Sequence, residues 1–181
     1  MYVILTCLNQ RTSNQTEYVM KLPSRRLLNL AGALACAGMM AFALYAEHVL
    51  YLDPCPLCIF QRVAVIVLGV GFLAAALHDP GPTGRRVYAA WLGLASLAGA
   101  GLAAWHVRLQ NLPPGEVPAC GPGLNYMLDN FPFADVLGMV FKGSGECAEV
   151  SWRFLGLSMP TWVLIGMLGL GGAAIWNNVR R

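Results

Sequence analysis

Asp53-Pro-Cys-Pro-Leu-Cys-Ile-Phe-Gln-Arg62-Val-Ala-Val-Ile-Val-Leu-Gly-Val-Gly-Phe-Leu-Ala-Ala-Ala-Leu77 begins as a cysteine motif and ends as chain that belongs in hydrocarbon. From Leu57 to Leu77 the single charge is Arg62, and about 20 apolar residues suffice for a helix to cross ~30 Å of lipid. Three more runs have the same character: Leu27 to Ala46, Val87 to Trp105 and Phe154 to Trp176, none of which carries a charge. The whole chain agrees, with 57% hydrophobic and 12% charged residues in 181, against roughly 25% charged in a soluble domain. Backbone polar groups in lipid must be satisfied within the segment, so four such runs predict an all-α membrane protein, a four-transmembrane-helix bundle. The net charge of +3 is too small and too segregated for a nucleic-acid surface, and nucleic acid is not expected as a partner.

Placing the loops alternately on the two sides of the membrane gathers Arg11, Lys21, Arg25, Arg26, Arg85, Arg86, Arg180 and Arg181 on one side, eight of the twelve positive residues. The positive-inside rule makes that side cytoplasmic, with both termini on it. The expected organisation is a cytoplasmic tail over 1–26, a membrane domain over 27–176 and a cytoplasmic C-terminus over 177–181. The first span serves as an uncleaved anchor, because the segment after Met1 lacks the shape of a cleavable signal peptide. Two loops then face outward, a short one near Glu47 to Pro56 and a long one over 106–153. In the long loop Pro132 to Phe141 reads either as a short amphipathic helix at the membrane surface or as a surface loop with apolar anchors.

The cysteines sort by side. Cys55, Cys58, Cys120 and Cys147 fall in the outward loops, Cys36 in the first span and Cys7 in the tail. Two structural staples would account for Cys120 and Cys147. They account poorly for Cys55 and Cys58, because a bridge closing four residues removes little unfolded-chain entropy and short Cys-x-x-Cys bridges are typically redox-active. This pair sits where the second span starts, and a helix start favours a thiolate through its partial positive charge and N–H groups. Arg62 follows Cys58 by one turn on the same face; a lone arginine snorkelling to the headgroups is the plainer alternative. His106, after Trp105 at the same membrane face, is a candidate hydrogen-bond donor to an apolar ligand, with His48 weaker and His78 on the wrong side. A metal site is not expected, since the four outward cysteines contain one short ligand pair and the second pair is separated by 26 residues.

Two cysteine pairs in one compartment can relay electrons by thiol–disulfide exchange, and a pair at the bilayer surface is placed to meet a lipid-soluble acceptor. No nucleotide-binding glycine motif is present.

Cys-Pro-Leu-Cys-Ile-Phe-Gln-Arg at Cys55 to Arg62, Gly-Glu-Cys-Ala-Glu at Gly145 to Glu149 and Trp-Arg-Phe-Leu-Gly-Leu-Ser-Met-Pro-Thr-Trp at Trp152 to Trp162 resemble the DsbB-type disulfide bond formation proteins, quinone-linked thiol oxidoreductases of the bacterial inner membrane. The resemblance runs from about Arg25 to Trp176. It implies a multi-pass inner-membrane enzyme, a protein-dithiol:quinone oxidoreductase that reoxidises a periplasmic DsbA-type thiol oxidase and passes the electrons to ubiquinone or menaquinone. By position it implies that Cys120 and Cys147 exchange with the partner, through a mixed disulfide at Cys120. It likewise implies that Cys55 and Cys58 receive the electrons with Cys58 facing the quinone, and that Arg62 and His106 lie at the quinone site. Cys7 and Cys36 match no functional position. Met1 to Val19 have no counterpart, and Met20-Lys-Leu-Pro-Ser-Arg-Arg26 reads as the natural start.

Overall fold

A computed structural model describes residues 24–113, 115–117, 119, 121 and 124–180. Cys7, Cys120 and the extension from Met1 to Val19 lie outside them. Four long helices carry the chain: α1 (Arg25–His48), α2 (Pro56–His78) and α3 (Pro82–Gln110), and, after the long loop, α7 (Met159–Val179). By length and composition each is able to cross a membrane. Between α3 and α7 lie α4 (Leu124–Asn130), α5 (Phe133–Lys142), α6 (Gly145–Ala148), and the two-residue strands β1 (Arg153–Phe154) and β2 (Leu157–Ser158).

The ends follow from local chemistry. Ser24 caps α1, its hydroxyl accepting from the Leu27 N–H at 3.2 Å. Prolines open α2, α3 and α7, at positions where a helix needs no N–H and a fixed φ helps. The last apolar run departs from expectation. Its hydropathy predicts a span from Phe154, but Phe154 pairs antiparallel with Leu157 across a two-residue turn, and the helix begins at Met159. Leu155 (φ 50°) and Gly156 (φ 80°) both take positive φ, the geometry that lets a two-residue turn match strand twist.

The long helices pack as a bundle, α3 chiefly on α7 and α2 on α1. Its middle is an apolar cluster including Val65, Leu68, Phe72, Leu92 and Met167, while Leu34, Val70, Leu94 and Leu97 stay exposed on the outside, the arrangement lipid demands. One close approach requires glycine: a Cβ on Gly171 would fall 2.1 Å from Ser96 Oγ. That hydroxyl donates across the interface to the Met167 carbonyl at 2.6 Å.

A second apolar cluster forms a lid over one end of the bundle. Val136 and Val140, one turn apart on α5, are buried against Leu57, Leu109 and Met127, together with Cys55 and Cys147, while Phe133 and Phe141 are exposed. The segment from Pro132 is therefore a helix, and its buried stripe holds the long loop down on the head of α2.

Candidate functional site

The loop before α2 ends at Cys55, which takes an extended backbone and caps the helix with its own sulfur: the Cys58 N–H donates to Cys55 Sγ at 3.3 Å. Pro56 occupies the first turn, where its missing N–H costs nothing. The two sulfurs lie 2.8 Å apart. Thus the first turn of α2 fixes the Cys-x-x-Cys pair before any tertiary contact is made.

The lid brings in the third sulfur. Cys147, in the single turn of α6, is buried in the same apolar cluster as Cys55. The Cys55 thiol, donating toward it, favours the Cys147 thiolate most. The Ser144 hydroxyl at 3.6 Å and the N–H groups of Leu57 and Ser144 add to it and outweigh burial, so Cys147 is pulled from the ordinary thiol value of 9.0 down to about 6. Cys55 moves the opposite way, well above the thiol range, because it keeps its proton in hydrogen bonds to Cys147 and then to Cys58, with burial reinforcing both. One sulfur of this contact is therefore poised as thiolate and the other as thiol. The helix start serves the pair it carries through the Cys58 N–H, and a second of its N–H groups, that of Leu57, is turned toward Cys147.

His106 is buried in α3 and links the two cysteine regions. Its Nε2 lies 3.1 Å from the Cys147 carbonyl and 3.8 Å from Cys55 Sγ, and its Nδ1 is 3.0 Å from Gln61 Nε2. A carbonyl only accepts, so Nε2 carries the proton and Nδ1 accepts from the amide. Arg62 is also engaged: it forms an ion pair with Glu47 of α1 and donates to the Ala43 carbonyl at 3.2 Å. The structure thus gathers Cys55, Cys58, Cys147, Arg62 and His106 at one end of the bundle. Cys120 is outside the described residues, although Ala119 accepts a hydrogen bond from Gly145, two residues before Cys147. His78 ends α2 at the opposite end of the bundle, whereas His48 ends α1 at the same end as this group, next to the Glu47 that pairs with Arg62.

A cavity of about 120 Å³ opens beside the sulfurs. Met39, Val65, Pro160 and Val163 give it an apolar wall, and Cys58, Arg62, His106 and Gln110 its polar edge. The Gln110 Oε1 is buried without a hydrogen-bond partner. Two residues here were not singled out from sequence. Gln61 stands inside the cysteine motif beside Arg62 and gave a local signal; Glu47 counted only as one of the outward acidic residues, and nothing local marks its pairing with Arg62 across 15 positions.

The family described as Disulfide bond formation protein DsbB matches residues 25–177. Proteins named Disulfide bond formation protein B are similar along most of their length. That of Nitrosococcus oceani is 52% identical over 154 residues, covering 85% of this chain and 91% of the relative. That of Methylococcus capsulatus is 51% identical over 164 residues, covering 90% and 100%, and that of Hahella chejuensis 54% over 143 residues, covering 79% and 86%. Similarity of this extent, on a chain of four membrane-length helices with cysteines gathered at one end, assigns a multi-pass bacterial membrane protein with disulfide-generating oxidoreductase chemistry. The chain belongs to the DsbB family of disulfide bond formation proteins.

Proposed function

We propose that the protein reoxidises a periplasmic DsbA-type thiol oxidase and delivers the electrons to a membrane quinone, ubiquinone or menaquinone, through the pairs Cys120–Cys147 and Cys55–Cys58. The observation that carries the reading is the packing of Cys147 with Cys55 in one buried cluster, with Cys58 2.8 Å from Cys55. Two independent staples have no use for a poised thiolate against the thiol of the other pair. The segregation of positive residues supports an orientation with both termini cytoplasmic and the cysteines outside.

The chemistry follows from the sulfurs. A thiolate of the partner attacks Cys120 of the Cys120–Cys147 disulfide and releases Cys147 as a thiolate, which its hydrogen bonds already favour. Cys147 then attacks Cys55 of the Cys55–Cys58 disulfide, the sulfur it touches, and expels Cys58 as a thiolate. The second partner thiol displaces the mixed disulfide, the Cys120–Cys147 bond re-forms, and two electrons rest on Cys55 and Cys58. The cavity suits a quinone: its wall is apolar and Arg62 offers a cationic donor to a ring oxygen. A quinone bound there supplies the two-electron acceptor. The role of Arg62 is to bind and polarise a ring oxygen, with Glu47 and the Ala43 carbonyl fixing the guanidinium in place. His106, through Nε2–H toward Cys55 and the Cys147 carbonyl, orients the exchanging sulfurs.

The test mixes the protein in nanodiscs with a reduced DsbA-type partner and a short-chain quinone, following quinone absorbance and partner thiols together. One quinone reduced per partner dithiol oxidised is expected. Partner oxidation with no quinone consumed sinks the proposal.

A further inference from the structure

The fold does something to the Cys55–Cys58 pair that the spacing of the sequence does not suggest. It sets an imidazole nitrogen, from 51 residues away, against the two sulfurs, so that Cys55 Sγ, Cys58 Sγ and a ring nitrogen of His106 all lie within 4.8 Å of one another. We propose that in the reduced protein Cys55, Cys58 and His106 bind a thiophilic divalent cation of the zinc class, as a site with three protein ligands.

Donor type and geometry both fit. Zinc takes thiolate sulfur at about 2.3 Å and imidazole nitrogen at about 2.0–2.1 Å in a tetrahedron, which sets sulfurs about 3.7 Å apart. The sulfurs here must open from 2.8 Å, a change that rotation of the Cys58 side chain on the first turn of α2 supplies. The Cys58 N–H already points at Cys55 Sγ and stabilises charge on that sulfur in the bound state. As the metal binds, two sulfur–metal bonds form and two thiol protons leave to water; nothing is oxidised or reduced. Water fills the fourth position.

The surroundings favour a cation. Asp53, Glu146 and Glu149 line the adjoining cavity against one positive group, Arg62, and that charge is matched by Glu47. His106 must present a lone pair at Nε2, so on binding the ring gives up its hydrogen bond to the Cys147 carbonyl and carries its proton on Nδ1. Gln61 permits this, because rotating its amide by half a turn replaces the N–H donor facing Nδ1 with the Oε1 acceptor. A ligating histidine held by a carbonyl on its other nitrogen is the usual support for such sites, and removing that support typically weakens binding about 10–100-fold. A disulfide offers no thiolates, so the site exists only while the pair is reduced. The proposal needs no quinone; its consequence for turnover, that bound metal withholds the thiolates from the acceptor, rests on the function proposed above.

The full-length protein in nanodiscs, reduced with a phosphine and free of chelator, is titrated with Co²⁺ and then Zn²⁺, without partner or quinone. One cobalt per chain is expected, with a thiolate-to-cobalt charge-transfer band that zinc abolishes. The band is lost in the oxidised protein and in Cys58→Ser. His106→Ala and Gln61→Leu weaken binding by about tenfold or more. A missing band, a band that survives Cys58→Ser, or wild-type affinity in His106→Ala overturns the proposal, the last because the site is then a bare dithiol. X-ray absorption of the zinc-loaded wild type gives a reading that no variant's folding affects: a mixed sulfur and nitrogen shell supports the site, and a shell without nitrogen overturns it.

Discussion

The two ends of the bundle each bury a knot of polar side chains, and the knots behave differently. At the end where α1 starts and α7 finishes, Asn29 of α1 meets Asn177 and Asn178 of α7, all three at most 4% exposed. Asn177 and Asn178 donate to the Asn29 carbonyl at 3.0 and 3.3 Å, and they also reach the backbone carbonyls of Arg25 and Ala174 at 3.1 and 2.9 Å. At the other end Cys147 and His106 are as deeply packed, with Cys55 and the half-buried Cys58 beside them. Both knots adjoin a cavity, the amide one an apolar space lined by Leu28, Phe72 and Trp176, so neither burial nor space distinguishes them. Chemistry does. Amides can neither titrate nor change covalent partners in this range, so their bonds only fasten α1 to α7. The thiols can do both, and in the Cys147–Cys55 contact they are driven to opposite protonation states.

The sharpest break in the comparison is Cys147→Ser. With the relay cut at its contact with Cys55, oxidation of the partner falls to background, while the reduced Cys55–Cys58 pair still reduces added quinone and thermal stability in nanodiscs changes little. Partner turnover at a measurable fraction of wild type in Cys147→Ser would show that the contact carries no electrons.

Arg62→Ala comes next. Losing a charged hydrogen bond to a ring oxygen costs about 1.5–3 kcal/mol, so the KM for quinone rises by about tenfold or more with assembly intact. Arg62→Lys restores part of this, a point charge lacking the guanidinium fork that also holds Glu47 and Ala43. Equal quinone kinetics in all three proteins would favour a snorkelling arginine.

These effects separate what was legible in the chain from what was not. The four helices were written in runs of hydropathy, and the Cys-x-x-Cys at the head of α2 in local spacing. Both are properties of neighbours in sequence, which is why they could be read. The start of α7 was not, since summed hydropathy does not tell an apolar hairpin from an apolar helix; the signals were Gly156 in the turn and Pro160 in the first helical turn. Nor did any period announce that Glu47 holds Arg62, that Gln61 meets His106 across 45 residues or that α6 delivers Cys147 to Cys55. Those contacts depend on how the lid of α5 and α6 sits on the bundle.

The protonation contrast is a smaller effect and is read spectroscopically. The folded value for Cys147 is about 6 against an ordinary 9.0. Its thiolate therefore appears as pH rises through about 6 in the folded, reduced protein, and only near 9 when unfolded. A depressed pKa contributes stability that is complete above 9 and is lost as pH falls through about 6. Thiolate ultraviolet absorbance, taken as wild type minus Cys147→Ser, should inflect near pH 6, and Cys55→Ala should move the inflection upward by removing the principal donor. An inflection in the ordinary thiol range with Cys55 present would remove the poised thiolate from the mechanism.

At the amide knot, Asn29→Leu takes away the shared acceptor and leaves two buried donors short of one bond each. Side-chain hydrogen bonds inside membrane proteins average about 0.6 kcal/mol and reach about 1.7, so a loss of about 1 kcal/mol is expected in denaturant unfolding, with partner oxidation unchanged. Activity falling in step with that in Cys147→Ser would mean that the two ends are coupled.

Cys36 provides the smallest effect, because it is a thiol placed like the asparagines. It is 3% exposed in the apolar cluster of the bundle's middle, packed with Leu68 and Phe72. It faces Gly69, where an added Cβ would come within 2.9 Å of its own Cβ. Nothing titratable shares that cluster, and no backbone donor is turned toward the sulfur, since the surrounding helical N–H groups are spent in their own helices. Cys36→Ser puts a hydroxyl in its place, and a serine inside a helix satisfies itself on the carbonyl one turn back. The expected cost is therefore about 1 kcal/mol or less, with wild-type rates of partner oxidation and quinone reduction. A clear loss of turnover in Cys36→Ser, at unchanged stability, would mean that a sulfur acts here without a neighbouring acid, base or helix start, and the contrast drawn between the two ends of the bundle would fail.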